Sequence, residues 1–455
     1  MYFFHTEADR IAMLQAIGEA SVSELLDAQV PEVARLDGPL HLPPAQTEME
    51  LEQSLRHAAA RNVSASSHVC FLGGGAYDHF IPATVDALSA RGEFFTSYTP
   101  YQAEVSQGNL QVMFEYETLM TQLTGLDVSN ASLYDGGSAA VEAVLMALAI
   151  KRERRRVVTS AAVHPEYRQI LQTYLQGLDC ELVIVPLDSE GGSSALGAAI
   201  DDRTACVLLQ HPNFLGHLEA VPQICSVAKQ HGALTIQVFD PISLGMLKRP
   251  GELGVDIAVA EGQCLGNPLS FGGPYLGIIA CQEALVRRMP GRIAGQTTDR
   301  RGKRCWVLTL QTREQHIRRD KATSNICSNQ TLLALRATIY LSLQGPRGMR
   351  ETAEHCYRKT QYARDRVLQH SRYTTPFAGP TFREFVVRDS AGMVPKLLAD
   401  MLQHRFLAGV PLGQWYPELD DCFLVAVTER RTRPEIDAFV ETLGSAVMSG
   451  VFANA

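Results

Sequence analysis

From residue 156 to residue 280 the chain repeats one pattern, and it constrains the fold more than any other feature. Short apolar runs rich in β-branched residues alternate with amphipathic stretches. The runs fall at 156–163, 181–185, 204–209, 234–239, 255–259 and 275–280, and a helix is expected over 165–176. Strands that are apolar at consecutive positions are buried on both faces. With helices between them they form a mostly parallel sheet with right-handed crossovers. The expectation is a large α/β domain over 66–318, built on a sheet of about seven strands.

The flanks read differently. Residues 1–65 suggest an N-terminal helical arm: Thr6 caps a helix over 7–16, a second helix follows over 21–28, and Pro43-Pro44 precedes a third over 47–60. Beyond 318 come two long helices, near 328–343 and 347–369, and a strand over 383–388. A helix near 394–408, a strand over 422–428 and a closing helix over 434–449 complete a smaller α+β domain, 319–455.

Composition narrows the function classes. With 46% hydrophobic residues, 20% charged residues and a formal charge of −8 over 455 residues, the chain is neither disordered nor a basic nucleic-acid binder. No apolar run reaches the length of a membrane helix, and residues 1–9 lack a basic segment leading into an apolar one. A cytoplasmic enzyme or enzyme subunit is expected. No two of the ten cysteines are closer than 17 positions, which excludes a CxxC zinc knuckle or redox pair. The basic runs 151–156 and 300–304 are expected to be solvated ends of helices or loops, and no metal site is expected.

In an open parallel sheet, ligands bind beyond the carboxyl ends of the strands. Asp135-Gly-Gly-Ser138 falls there and opens a helix over 139–150, where it suits either a phosphate cradle or an ordinary N-cap. His211-Pro-Asn213 follows one strand, and Asp240 ends another. A helix-head phosphate loop at Ser138, a strand-end Asp240 and a small C-terminal domain together suggest a fold-type I pyridoxal-phosphate (PLP) enzyme. In such a site the acid faces the pyridine nitrogen, and a lysine holds the cofactor as an imine. The chain departs from that pattern. The expected turn, 260–274, carries Gln263, and no lysine occurs between Lys248 and Lys303. An amide cannot form an imine, so Gln263 marks the missing lysine of a vestigial site. The nearest rival, Lys321, stands 81 residues past Asp240.

Several long strings carry a resemblance. They are Phe71-Leu-Gly-Gly-Gly-Ala-Tyr-Asp-His79, Tyr98-Thr-Pro-Tyr-Gln-Ala-Glu-Val-Ser-Gln-Gly108, Thr124-Gly-Leu-Asp-Val-Ser-Asn-Ala-Ser132, Glu261-Gly-Gln-Cys-Leu-Gly266, Phe271-Gly-Gly-Pro-Tyr275 and Arg319-Asp-Lys-Ala-Thr-Ser-Asn-Ile-Cys327. Over nearly the whole chain the sequence resembles the P-protein of the glycine cleavage system, glycine decarboxylase. Within that family it resembles subunit 1, the alpha chain of the two-chain bacterial form. Subunit 2, the beta chain, carries the lysine in a His-Lys-Thr turn, where this chain reads Gly262-Gln263-Cys264. The resemblance implies an αβ pair, alone or doubled, with PLP bound covalently by the beta chain. It also implies that glycine is decarboxylated there and its aminomethyl group passed to the lipoyl arm of H-protein. Tyr98, Tyr101, Glu104 and Gln107 match the family segment implied to reach the shared site. As residues, two phenols and a carboxylate in a Pro-kinked loop offer acid–base groups, and they equally suit a surface turn.

Three readings follow: a decarboxylase subunit that does not bind PLP, an independent PLP lyase or transferase using Lys321, or a regulatory scaffold. His79 and His164 are expected to be cap or core-edge histidines. Gly73-Gly-Gly75 lacks the spacing of a dinucleotide loop.

Overall fold

The computed structural model describes residues 4–36, 38–326 and 329–446, and the chain divides into two units between Val63 and Ser64. In the first unit, helices Glu7–Ile17, Val22–Gln29 and Glu48–Ala59 begin where their caps predict. Thr6 and Thr47 each form a reciprocal capping box with the acid three residues on, and the Ser21 side chain accepts the Glu24 N–H.

The second unit is built on a seven-stranded sheet. Its strands are β1 (Val128–Ser129), β2 (Arg156–Ser160), β3 (Glu181–Val185), β4 (Thr204–His211), β5 (Leu234–Phe239), β6 (Ile257–Glu261) and β7 (Gly277–Cys281). Their spatial order is β1-β7-β6-β5-β4-β2-β3, and only β7 runs against its neighbours. The mostly parallel sheet read from the apolar runs is therefore present.

Alternate side chains serve opposite faces. Ile257, Val259, Ile236 and Val238 pack on helix Gly136–Ile150 through its alanines. Ala258, Ala260 and Ala280 leave room on the other face for Tyr116, Met120 and Tyr340, which come from helices Gln107–Thr124 and Thr331–Val367. That last helix joins the two expected ones across a break at Gly345, where φ is 56° and ψ −176° ahead of Pro346. The first residue expected in it, 328, lies outside the described residues.

A second, antiparallel sheet contains Tyr373–Thr374, Glu384–Asp389, Cys422–Ala426 and Val410–Pro411, in that order. Helices Val394–Gln403 and Arg433–Ser445 bury Leu397, Met401, Ile436 and Phe439 against it. The end of the closing helix expected at 447–449 lies outside the described residues.

One element was not expected: an antiparallel hairpin, Ile293–Thr298 with Arg304–Thr309. The basic run 300–304 supplies its turn, where Asp299 Oδ1 accepts the N–H groups of Arg301 and Lys303. No helix among the described residues is long and apolar enough to cross a membrane.

Candidate functional site: a small pocket at the strand ends

Three singled-out positions lie beyond the carboxyl edge of the parallel sheet. Asp240 follows β5, Gln263 comes two residues after β6, and Ser138 lies in the first turn of the helix that Asp135 caps. Gln263 is buried, and its side-chain amide is fully engaged. Oε1 accepts the Tyr77 N–H at 2.8 Å, and Nε2 donates to Tyr77 O at 3.1 Å and Asn267 O at 2.8 Å.

The helix head is filled by carboxyl groups. Asp135 Oδ1 accepts the Ser138 N–H at 2.7 Å. Glu261, the last residue of β6, accepts the Gly136 N–H at 2.9 Å through Oε2, and those of Gln263 (2.9 Å) and Leu276 (3.0 Å) through Oε1. Burial pushes the Glu261 carboxyl up to about 8, against the pull of these N–H bonds. Gly136 and Gly137 are needed for the chain's own packing. A Cβ on Gly136 would collide with the Tyr167 hydroxyl and Glu261, and one on Gly137 with Ile170.

Asp240 is also engaged. The buried Arg383, just ahead of strand Glu384–Asp389, places Nε 2.8 Å from Asp240 Oδ2 and lays its guanidinium 3.4 Å from the centre of the Tyr77 ring. Its Nη1 meets His79 Nε2 at 2.5 Å. Arginine only donates, so Nε2 accepts, and the proton on Nδ1 goes to Glu429 Oε2 at 2.6 Å. That tautomer leaves His79 no lone pair for a cation, although His79, Cys356 and Glu429 stand close enough to be compared with a metal-ligand set.

The neighbouring Glu384 is fully buried. Its Oε1 accepts the Gly74 N–H at 2.7 Å, and its Oε2 accepts the Tyr77 hydroxyl at 2.9 Å. Burial raises its carboxyl to about 7. The triple glycine 73–75 wraps this carboxylate, with φ of +73° at Gly74 and +110° at Gly75. His164 caps helix Pro165–Leu175 and donates from Nε2 to Gly74 O at 2.7 Å. Burial lowers its imidazole to about 4, so the ring is neutral.

Asp240, Glu261, Tyr77, His164, Arg383 and Glu384 are among the residues around a cavity of about 40 Å³, room for about two or three water molecules. A phosphorylated pyridine ring does not fit this arrangement. The cradle glycines are packed against Tyr167 and Ile170, Arg383 faces the acid that would meet the ring nitrogen, and no lysine lines the cavity. Lys321 is exposed in the short turn Arg319–Lys321.

The loop 98–107 is elsewhere. Tyr98 is 87% exposed and Glu104 is exposed. Tyr101 is half exposed, and its hydroxyl accepts from Arg292 Nη2 at 2.8 Å, with the guanidinium 4.9 Å from the ring centre. Gln107 is tied to the hairpin: Nε2 donates to Ala103 O (2.7 Å) and Trp306 O (2.8 Å), and Oε1 accepts the Trp306 N–H (2.9 Å). The structure thus gathers Asp240, Gln263 and the helix head at one sheet edge and leaves Tyr98 and Glu104 facing outward.

Sequence reasoning passed over Glu261, Arg383 and Glu384. The available signal was a charged residue at the end of an apolar strand, a position that is buried only when paired.

Comparison with known proteins adds the family. A family model described as glycine cleavage system P-protein matches residues 1–443. A Carboxydothermus hydrogenoformans protein named "Probable glycine dehydrogenase (decarboxylating) subunit 1" is 50% identical, over 97% of this chain and 99% of its own length. A crystal structure of glycine decarboxylase (P-protein) of the glycine cleavage system, in inhibitor-bound form, superposes with a TM-score of 0.88 at 39% identity, covering 98% of this chain and 99% of the other. A Burkholderia pseudomallei sphingosine-1-phosphate lyase shares the fold, with a TM-score of 0.67 at 17% identity over 90% of this chain and 93% of its own.

Proposed function

The chain belongs to the glycine cleavage system P-protein family, and from that premise we propose that it is the decarboxylase subunit that does not hold the cofactor. A lysine-bearing subunit 2 carries PLP covalently, and this chain completes the assembly in which glycine loses its carboxylate. The aminomethyl group then passes to the lipoyl arm of H-protein. The observation that carries this reading is Gln263. An imine needs an amine, and here an amide is spent on the backbone of Tyr77 and Asn267. The reading with Lys321 as imine former has no such support, because that side chain is exposed and outside the cavity lining.

What this chain contributes is a surface and a set of held groups. Tyr98, Tyr101 and Glu104 are accessible to a partner, and Arg292 fixes the direction of the Tyr101 hydroxyl. A phenol held by a guanidinium is ordered enough to orient a neighbouring substrate carboxylate or proton donor. The hairpin Ile293–Thr298 with Arg304–Thr309 supports that loop through the bonds between Gln107 and Trp306.

The test is reconstitution. Glycine-dependent exchange of CO2 in the presence of lipoylated H-protein is expected only when this chain is co-expressed with the lysine-bearing subunit. Exchange by this chain alone would overturn the assignment.

A further inference from the structure

Among its polar groups PLP presents a phosphate, a protonated ring nitrogen and an aldehyde. A protein site answers them with N–H groups at a helix head, a carboxylate and a lysine. In this chain each answering group already has an internal partner of matching chemistry. The carboxylate Asp240 has a cation, the Arg383 guanidinium, at 2.8 Å. The helix-head N–H of Gly136 has an acid, Glu261, at 2.9 Å. The place of the lysine holds Gln263, whose amide pairs with Tyr77.

We propose that this pocket is closed by surrogates from the chain itself. Arg383 stands in for the pyridinium and Glu261 for the phosphate, so lysine at position 263 alone does not admit PLP. The inference rests on the proposed reading that the cofactor belongs to the partner, and adds the physical reason this chain does not share it. The surrogates also bridge two parts of the fold. Asp240, Glu261 and Gln263 belong to the edge of the parallel sheet, whereas Arg383 and Glu384 lead the central part of the antiparallel one. The pair Asp240–Arg383 therefore joins the two sheet edges directly, and the loop residue Tyr77, bonded to Gln263 through its backbone and to Glu384 through its hydroxyl, joins them a second time with the Arg383 guanidinium on its ring. A ligand entering here must displace a buried cation from its carboxylate, which costs more than releasing a solvated one.

The test uses the purified full chain with no partner, incubated with PLP, reduced with borohydride and mapped by peptide mass. Wild type and Gln263→Lys are expected to carry no pyridoxyl group at position 263. Gln263→Lys combined with Arg383→Ala and Glu261→Ala is expected to carry one and to melt at a higher temperature when PLP is present. Should the triple variant not fold, Gln263→Lys with Arg383→Ala is the milder case, and it is expected to carry a pyridoxyl group at position 263 where Gln263→Lys carries none. A pyridoxyl group at position 263 in Gln263→Lys alone, or no gain in a folded double or triple variant, would overturn the proposal. Because the readout is adduct formation in one chain, its failure leaves the exchange assay with the partner standing, and the converse also holds.

Discussion

Gln263 and Tyr77, 186 positions apart in the chain, are joined as two strands of a sheet would be: the amide of one meets both the N–H and the C=O of the other, at 2.8 and 3.1 Å. A position that demands an amine in a lysine-dependent site is here a buried structural tie. Gln263→Glu would turn Nε2, the donor to Tyr77 O and Asn267 O, into a third oxygen facing two carbonyls. The expected loss is about 2–4 kcal/mol in urea unfolding of the full chain. A loss under about 0.5 kcal/mol would mean that the tie is not formed in solution.

Glu384 should make stability fall with rising pH. Its folded carboxyl is raised by burial from the ordinary 4.5 to about 7, so the folded state binds the proton more tightly than the unfolded chain. The stabilisation is complete below about pH 4.5 and is lost as the pH passes through 7, amounting to roughly 3 kcal/mol. Glu384→Gln keeps an oxygen for the Gly74 N–H and offers an N–H to the Tyr77 hydroxyl, so this component of the pH profile should disappear. An unchanged slope between pH 4.5 and 7 would place the titrating group elsewhere.

What the sequence made legible follows physical lines. Strands β2 to β7 announce themselves because burial on both faces demands consecutive apolar residues, and helices such as Glu7–Ile17 because their caps are local. The hairpin 293–309 was missed. Its first strand ends in the exposed Gln296-Thr297-Thr298, and its second strand is tied at Trp306 to Gln107, almost 200 positions away. At the site, Asp240 and Gln263 were visible as strand-end residues. The surrogates were not, because pairing between Arg383 and Asp240 or between Glu261 and Gly136 is a property of the folded chain that no local pattern encodes.

Gln107 is expected to act on the hairpin before it acts on any substrate. Gln107→Ala removes three hydrogen bonds to Ala103 and Trp306 and should cost about 1–3 kcal/mol locally. Hydrogen exchange should quicken over 293–309 and leave β4 and β5 protected. Unchanged protection in the hairpin would contradict this role.

Tyr98 and Tyr101 separate exposure from placement. Tyr98→Phe and Tyr101→Phe should each leave the isolated chain within about 1 kcal/mol of wild type, since the first ring is largely solvated and the second loses one half-exposed bond. In the complex both should lower glycine-dependent CO2 exchange without separating the subunits in gel filtration. Wild-type exchange in both variants would place the loop away from the reacting centre.

On the proposed function, this chain supports the chemistry without holding the cofactor. Borohydride reduction of the co-purified, PLP-loaded complex, followed by peptide mass mapping, tests it most directly. A pyridoxyl group is expected on a lysine of the partner subunit and on none of the seven lysines of this chain. A stoichiometric pyridoxyl group on any of those seven, Lys321 included, would contradict it.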